Sequence, residues 1–264
     1  MKLISWGLSD VGRKRDHNED SYVVRPGDGL FIVADGMGGH LGGDRASRMA
    51  VDLMVEEVDR TLLGAAPAPA PAPAPPPPPV AQAPEEAPAA LALRAAARAA
   101  GAAIYEVAQS DEHLQGMGTT LTALLFRNGR AHVAHVGDSR AYLFRDGRVE
   151  QLTEDHSWIA EQVRAGLLSE EEARDSKFKH IITRSVGFER DVQVDISAVP
   201  VLMGDCYVVC SDGLSNFVEA DELARIMTAT FYGRVPETLV DLANERGGDD
   251  NITVVLVYVA NDAS

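Results

Sequence analysis

Cysteine is scarce in this 264-residue sequence, which contains only Cys206 and Cys210. The two lie four residues apart in one apolar strand pattern and therefore point to the same face. We interpret them as small buried side chains in a reducing compartment rather than as a disulfide or a metal pair. Neither cysteine has the context of a nucleophile, and the chain has no P-loop.

Basic residues are also few, with 24 Lys and Arg against 40 Asp and Glu, a formal net charge of −16 and a pI of about 4.8. Such a field repels nucleic acid and anionic membranes, so we expect no nucleic-acid partner. Arg94 and Arg98 interrupt the longest alanine-rich run, and the first residues lack the apolar core of a signal peptide. We therefore expect a cytoplasmic, monomeric protein without membrane insertion.

Proline is rare outside one segment, because eleven of the fourteen prolines fall between Pro67 and Pro88. Proline-alanine sequence of this kind favours an extended, disordered chain. The segment separates two helical patterns, Asp44 to Leu63 and Leu91 to Ala108. We predict one domain over residues 1–264 with a disordered insertion at 64–90. The insertion is interpreted as a spacer, and docking of a proline-binding domain remains an alternative.

Acidic residues recur where apolar strand patterns end. Leu30 to Ala34 reads as a buried strand, and Asp35 and Gly36 follow it directly. The other acids at such positions are Asp138, Asp212 and Asp250, with Glu19 and Asp20 adding two more. A single acid of this kind is usually a turn residue. Several that converge would repel one another unless cations neutralised them, and a donor set of oxygen atoms alone favours Mg²⁺ or Mn²⁺.

The second half of the chain has the pattern of antiparallel strands. Asn128-Gly129 and Asp146-Gly147 each separate two apolar runs, which predicts hairpins rather than a doubly wound parallel sheet. Residues 155–187 break this rhythm with a short helical pattern and a capping box that begins at Ser169. We predict that this segment, called the flap below, covers the site.

Eight motifs occur in an order and spacing that resemble one known family. They are RKRDHNEDS, ADGMGGH, GMGTTL, VGDSRAYL, LTEDHS, ITRSVG, CSDGL and GGDDNITVV. Together they resemble the metal-dependent protein phosphatases of type 2C, in their bacterial form. The resemblance implies an α+β fold, a four-layer α-β-β-α sandwich with two central antiparallel sheets. It also implies hydrolysis of phosphoserine and phosphothreonine in proteins that are substrates of a cognate Ser/Thr kinase.

The same resemblance implies a role for each motif residue. The implied metal ligands are Asp20, Asp35, the Gly36 carbonyl, Asp138, Asp212 and Asp250. Asp35 would bridge two tightly bound Mn²⁺ or Mg²⁺ ions, whereas Asp138 would serve a weaker third ion. Arg15 matches the phosphate-binding arginine, a role that suits the planar fork of donors in a guanidinium. The chemistry expected is attack on phosphorus by a water that the metal ions acidify.

One departure from the family pattern concerns the proton donor. Many eukaryotic members have histidine directly after the Asp-Gly pair, whereas this chain has Met37 there. His40 or a metal-bound water would then protonate the leaving oxygen.

Three alternatives to a protein phosphatase remain at this point. A catalytically silent regulator of the same fold would be expected to lack one of the acids, and none is missing. A calcium module would place its ligands within one short loop rather than across the chain. A phosphohydrolase acting on small phosphoesters would share the metal chemistry.

Overall fold

A computed structural model of the protein describes residues 1–38, 42–63, 87–174, 176–178 and 180–261. His40, the predicted proton donor, lies outside the described residues, as do residues 64–86 of the predicted insertion. Residues 87–90 are described, and from Pro88 onward they are helical rather than part of a disordered segment.

The described strands form two antiparallel sheets. The first has the order β1-β11-β10-β7-β8, and the second has the order β2-β3-β5-β6-β9 with β4 paired to β3. The strands are β1 (Lys2–Asp10), β2 (Asp20–Arg25), β3 (Leu30–Met37), β4 (Gly118–Thr119), β5 (Leu121–Arg127), β6 (Arg130–Val136), β7 (Arg140–Arg145), β8 (Arg148–Gln151), β9 (Asp195–Pro200), β10 (Cys206–Cys210) and β11 (Ile252–Ala260).

Seven α-helices are described, and all but the two in the flap pack on the outer face of a sheet. They are α1 (Gly42–Val58), α2 (Pro88–Ser110), α3 (Trp158–Arg164), α4 (Glu170–Arg174), α5 (Asp212–Ser215), α6 (Ala220–Ala229) and α7 (Val235–Glu245). A π-helical turn, Asp59–Leu63, continues α1. None of these described helices is both long and apolar enough to cross a lipid bilayer.

The alternation of side chains along the strands produces the layers. In β3, Leu30 and Ile32 pack with α1 and α2, whereas Phe31 and Val33 pack between the sheets. β11 alternates in the same way, because Leu256 packs against α6 and α7 and its neighbours face the other sheet. Burial of both faces explains why these strands are apolar throughout. The predicted α-β-β-α sandwich with two antiparallel sheets is confirmed.

Two of the element boundaries that differ from the sequence prediction have a clear physical reason. β3 does not end at Asp35 but continues to Met37, because Gly36 and Met37 pair with the short strand β4. Helix α2 begins three residues before the predicted Leu91, with Pro88 in the first turn, where its missing N–H leaves no helical bond unmade.

The flap lies between β8 and β9 and contains α3 and α4. The predicted capping box is present at α4, since the backbone N–H of Glu172 donates to Ser169 Oγ at 3.2 Å. In return, Glu172 Oε2 accepts the Ser169 N–H at 2.9 Å.

Candidate metal centre

Two of the predicted ligands face each other across a strand pair. The antiparallel register of β2 and β3 makes Asp20 and Asp35 direct partners. Like charges in such positions destabilise a sheet unless they are compensated. Asp20 Oδ2 accepts hydrogen bonds from Ser211 Oγ at 2.8 Å and from Thr253 Oγ1 at 2.6 Å. Its other oxygen has no hydrogen-bond partner among the described residues.

Five of the six predicted ligands line one cleft with a volume of about 670 Å³. Asp35, Gly36, Asp138, Asp212 and Asp250 all contribute to its wall. Asp138 lies in the turn between β6 and β7, Asp212 begins α5, and Asp250 precedes β11. The structure therefore brings together residues that are as far as 215 positions apart in the chain.

Burial and mutual repulsion act on these carboxyl groups together. Burial raises the pKa of Asp20 to about 7. For Asp35, burial and then the charges of Asp20 and Asp212 raise the pKa well above its usual value. Burial is also the largest cause of the raised pKa values of Asp138 and Asp212. A cation would relieve the repulsion among these groups.

The donor chemistry of the cleft fits a hard divalent ion. Besides Asp20 Oδ1, the buried oxygens Asp138 Oδ1 and Asp212 Oδ1 have no hydrogen-bond partner among the described residues. A buried acceptor without a donor is costly, and Mg²⁺ and Mn²⁺ prefer oxygen ligands. Among the described residues, no three histidine, cysteine or acidic side chains already have an arrangement that would hold a metal ion. The fit therefore rests on the oxygens without partners and on the crowding of charge.

Two threonines hold the backbone of Asp35. The Asp35 N–H donates to Thr120 Oγ1 at 2.9 Å, and Thr119 Oγ1 donates to the Asp35 carbonyl at 2.8 Å. The Thr120 N–H donates to the same carbonyl at 2.8 Å. The motif GMGTTL predicts no individual role for these threonines, although buried hydroxyl groups beside an apolar strand are a signal of such contacts.

Gly36 is a position where only glycine fits. A Cβ atom there would overlap the Gly43 carbonyl and crowd the Glu19 carbonyl. The Gly36 N–H also donates to the Glu19 carbonyl at 3.2 Å. The close approach of three segments explains the glycine that follows Asp35.

Asn251 was missed by the sequence analysis, although it directly follows a predicted ligand. Its Oδ1 accepts the Glu19 N–H at 2.8 Å, and its Nδ2 donates to the carbonyls of Val11 and His17, each at 2.9 Å. These bonds fix the loop that carries Arg15. The three hydrogen bonds from this buried asparagine to one distant loop can be recognised only once the fold is known.

Arg15 lies at the rim of the cleft. Its Nη2 lies 2.7 Å from Asp250 Oδ2, and about half of its side chain is exposed. Partial burial lowers its pKa, but the charges of Asp250, Glu19 and Asp35 outweigh that effect and raise the pKa overall. The side chain predicted to bind phosphate is therefore paired with Asp250, one of the predicted metal ligands.

The flap lines the cleft through His180 and Arg184, and Phe188, the residue after the flap, lines it as well. Met37 also lines the cleft, at the position where many eukaryotic members of the predicted family have histidine. The proton donor predicted at His40 stays a prediction.

Comparisons with known proteins agree with this geometry. A family model described as protein phosphatase 2C matches residues 12–243. The protein phosphatase PhpP of Streptococcus pneumoniae is 40% identical over 255 residues, covering 95% of this chain and 95% of that protein.

Two solved structures share the fold. The Mycobacterium tuberculosis serine/threonine phosphatase PstP/Ppp is 31% identical, with a TM-score of 0.84 over 99% of this chain and 100% of that one. The catalytic domain of the serine/threonine protein phosphatase PstP in complex with two manganese ions is 32% identical, with a TM-score of 0.80 over 98% and 99%.

Proposed function

The chain belongs to the protein phosphatase 2C family, and on this premise we propose that its cleft uses divalent metal ions to remove phosphate from phosphoserine and phosphothreonine in proteins. The predicted family is thereby confirmed. The observation that carries the proposal is the convergence of five aspartates, of whose buried oxygens three have no hydrogen-bond partner in the part of the chain that the structure describes.

The proposed ligands are divided between two tightly bound ions and a weaker one. Asp35, Asp212 and Asp250 would hold the first tight ion, and Asp35, Asp20 and the Gly36 carbonyl would hold the second. Asp138 and Asp212 would hold the weaker third ion. Bound Mn²⁺ or Mg²⁺ acidifies the attacking water and neutralises charge on the phosphoryl group.

The other residues of the cleft bind and orient the substrate. Arg15 donates two hydrogen bonds to phosphoryl oxygens and stabilises the charge on them. The neighbouring Asp250 keeps the guanidinium beside the cleft until substrate enters. His40 or a water protonates the leaving oxygen of the serine or threonine.

The biological setting follows from the substrate class. We propose that the natural substrates are proteins phosphorylated by a cognate Ser/Thr kinase and that the enzyme acts as a monomer in the cytoplasm. The negative net charge of the chain supports the absence of nucleic acid among its partners.

The test is hydrolysis of phosphoserine, phosphothreonine and phosphotyrosine peptides and of a small phosphoester, with Mn²⁺ or with excess chelator. We expect the phosphoserine and phosphothreonine peptides to be hydrolysed, and only when the metal is present. Asp35→Asn should abolish this turnover, and Asp16→Asn, a change at an exposed acid of the same cleft, should leave it within about threefold of wild type. Full hydrolysis in chelator would contradict the metal mechanism, and preference for the small ester would favour the alternative phosphohydrolase.

The weaker third ion has its own test. Titration calorimetry of Asp138→Asn with Mn²⁺ should retain two tight binding events and lose the weak one. Loss of the tight events would show that Asp138 belongs to the main pair.

A further inference from the structure

His156 joins the flap to the turn that carries Asp138. The Gly137 N–H donates to His156 Nδ1 at 3.0 Å, and the His156 N–H donates to the Gly137 carbonyl at 2.7 Å. His156 is buried, and Gly137 directly precedes Asp138. The two bonds therefore fix the backbone beside a proposed metal ligand.

The hydrogen bonds also determine the tautomer of His156. A backbone N–H can only donate, so Nδ1 must be free of a proton and the ring proton must lie on Nε2. Nε2 lies 3.0 Å both from Asp195 Oδ2 and from Arg184 Nη1. Because the guanidinium can only donate, the Nε2 proton goes to Asp195. Asp195 Oδ1 in turn accepts a bond from Arg184 Nη1 at 2.7 Å. A chain of contacts thus runs from Gly137 to Arg184, which lines the cleft.

The turn at Gly137 has little freedom on its other side. Gly137 has φ of 109°, and a Cβ atom there would overlap the side chain of Thr120. Thr120 is also the residue that accepts the Asp35 N–H. Thr120 Oγ1 lies 2.8 Å from Ser139 Oγ, on the far side of Asp138. Thr120 therefore links the Asp35 backbone to Ser139, which follows Asp138, and His156 ties the flap to Gly137, which precedes Asp138.

We propose that His156 is a positioning residue which, as the neutral Nε2–H tautomer, sets the Asp138 turn through Nδ1 and the flap arginine Arg184 through Nε2 and Asp195. The proposal rests on the proposed function for its kinetic consequences. It separates the two ring nitrogens by role: Nδ1 supports the metal side of the cleft, and Nε2 supports the wall that contacts the phosphoprotein.

Two substitutions test the two nitrogens separately. Asparagine places its Oδ1 near the position of Nδ1, so His156→Asn keeps the acceptor for Gly137 and loses the bond to Asp195. Glutamine places its terminal amide near Nε2, so His156→Gln keeps a donor toward Asp195 and loses the acceptor for Gly137. The control is His132→Asn, a buried histidine of β6 whose neighbours in the alternation, Ala134 and Val136, pack on the helical side of the sheet.

The expected result is a split between kcat and KM. For His156→Asn, KM for a phosphoprotein should rise about fivefold or more, with kcat and the weak Mn²⁺ binding event retained. For His156→Gln, kcat should fall about tenfold and the weak Mn²⁺ event should weaken, with the two tight events unchanged. Asp195→Asn should resemble wild type in kcat, and His132→Asn should match wild type in both constants.

Nitrogen-15 NMR of the wild-type histidine rings tests the tautomer without any activity measurement. His156 should show an unprotonated Nδ1 and a protonated Nε2 at neutral pH. A protonated Nδ1 would overturn the proposal. Variants in which kcat falls and KM rises together, in proportion to the loss of stability, would also overturn it. If wild type has no metal-dependent phosphatase activity, the proposed function fails, whereas the tautomer is still decided by the NMR spectrum.

Discussion

The fold orients the buried carboxylate of Asp20 so that one of its oxygens is available to a cation. One of its oxygens accepts two hydroxyl hydrogen bonds, and the other accepts none from the described residues. Ser211 and Thr253, the donors, lie next to β10 and in β11, so they come from strands on the opposite sheet. The Asp20 carboxylate thus belongs to one sheet and is oriented by hydrogen bonds from the other. These bonds fix it between the sheets, where the acids converge.

Arg15→Lys tests the assignment of Arg15 to the substrate phosphate. Lysine can still pair with Asp250, but it cannot reproduce the planar fork of a guanidinium. We expect KM for a phosphate monoester to rise and inhibition by inorganic phosphate to weaken, with metal affinity and thermal stability close to wild type. An exposed ion pair alone contributes only about 0 to 1 kcal/mol and tolerates lysine.

The neighbouring cation provides the control. Lys14 pairs with Asp249 at 2.6 Å, and both side chains are more than half exposed. Lys14→Arg should leave phosphate inhibition unchanged. Unchanged kinetics in Arg15→Lys, or lower stability with phosphate inhibition intact, would assign Arg15 to structure rather than to substrate.

His135 makes the stability of the fold depend on pH. Its Nε2 donates to the Glu154 carbonyl at 3.1 Å, which leaves Nδ1 to accept from Thr122 Oγ1 at 2.9 Å. Burial and then the neighbouring His156 lower its pKa to about 4, although Asp155 and Asp195 act in the opposite direction. Between pH 6.5 and pH 4 the unfolded chain binds a proton that the folded chain does not, so stability falls as the pH is lowered through this window.

Urea unfolding at pH 7 and pH 5 measures this effect. Replacement by glutamine removes the titrating group, so the free energy of unfolding of wild type should fall by about 2 kcal/mol more than that of His135→Gln. The comparison uses the difference between the two proteins because the acids of the cleft titrate in both. An equal fall in both proteins would show that the histidine is protonated in the folded state at pH 5.

At the scale of elements, the flap is attached at both ends to the strands that carry the ligands. Its first residues bond to the Gly137 turn, and near its end Val186 and Thr119 exchange two backbone hydrogen bonds of 3.0 and 2.8 Å. Thr119 also holds the Asp35 carbonyl. The attachment explains how a segment without a long strand or helix keeps a defined position over the cleft.

Gly187→Ala should disturb this attachment. Gly187 has φ of 96°, and a Cβ atom there would overlap the side chain of Ile104 in α2. Backbone strain and overpacking together should destabilise the protein by about 2 to 4 kcal/mol, as measured by urea unfolding. Gly166→Ala is the matched control, because Gly166 also has a positive φ, of 69°, but has open space around it. That change should cost only about 1 kcal/mol, and equal losses for the two variants would show that contact with α2 is unimportant.

For the whole molecule, the features predictable from the sequence were those that repeat along the chain. Alternation and apolar runs gave the strands, including Cys206–Cys210 to the residue, and turn pairs such as Asn128-Gly129 gave the hairpins. The motifs gave the acids of the cleft. β3 was predicted too short because its last residues pair with a two-residue strand that has no periodicity of its own.

Buried polar contacts between distant residues could not be predicted in this way. Asn251 bonds to Val11 from 240 residues away, and His156 meets Gly137 and Asp195 from different elements. A sequence pattern gives the burial of such a residue but not the identity of its partner, because partner and distance are set by how the two sheets pack. The partner of Arg15 is a case of this kind.

The proline-rich segment gives a prediction about the whole molecule. The helices on either side of it are joined through the core, because Val58 and Leu62 pack in the same apolar cluster as Ala89 and Leu93. Their mutual burial does not require a long connection. The cost of closing a loop changes by only about 0.6 kcal/mol for each doubling of its length.

We therefore expect that replacing residues 66–84 with a short glycine-serine linker leaves Mn²⁺ affinity and hydrolysis of a small phosphoester within about twofold of wild type. The melting temperature should change by less than about 3 °C, since a 1 kcal/mol change shifts it by about 2 to 4 °C in a domain of this size. A larger fall would mean that the segment packs against the sandwich. Loss of activity toward a phosphoprotein alone, with the small ester still hydrolysed, would identify the segment as a docking site for the substrate, because the metal centre and the core would then be shown intact.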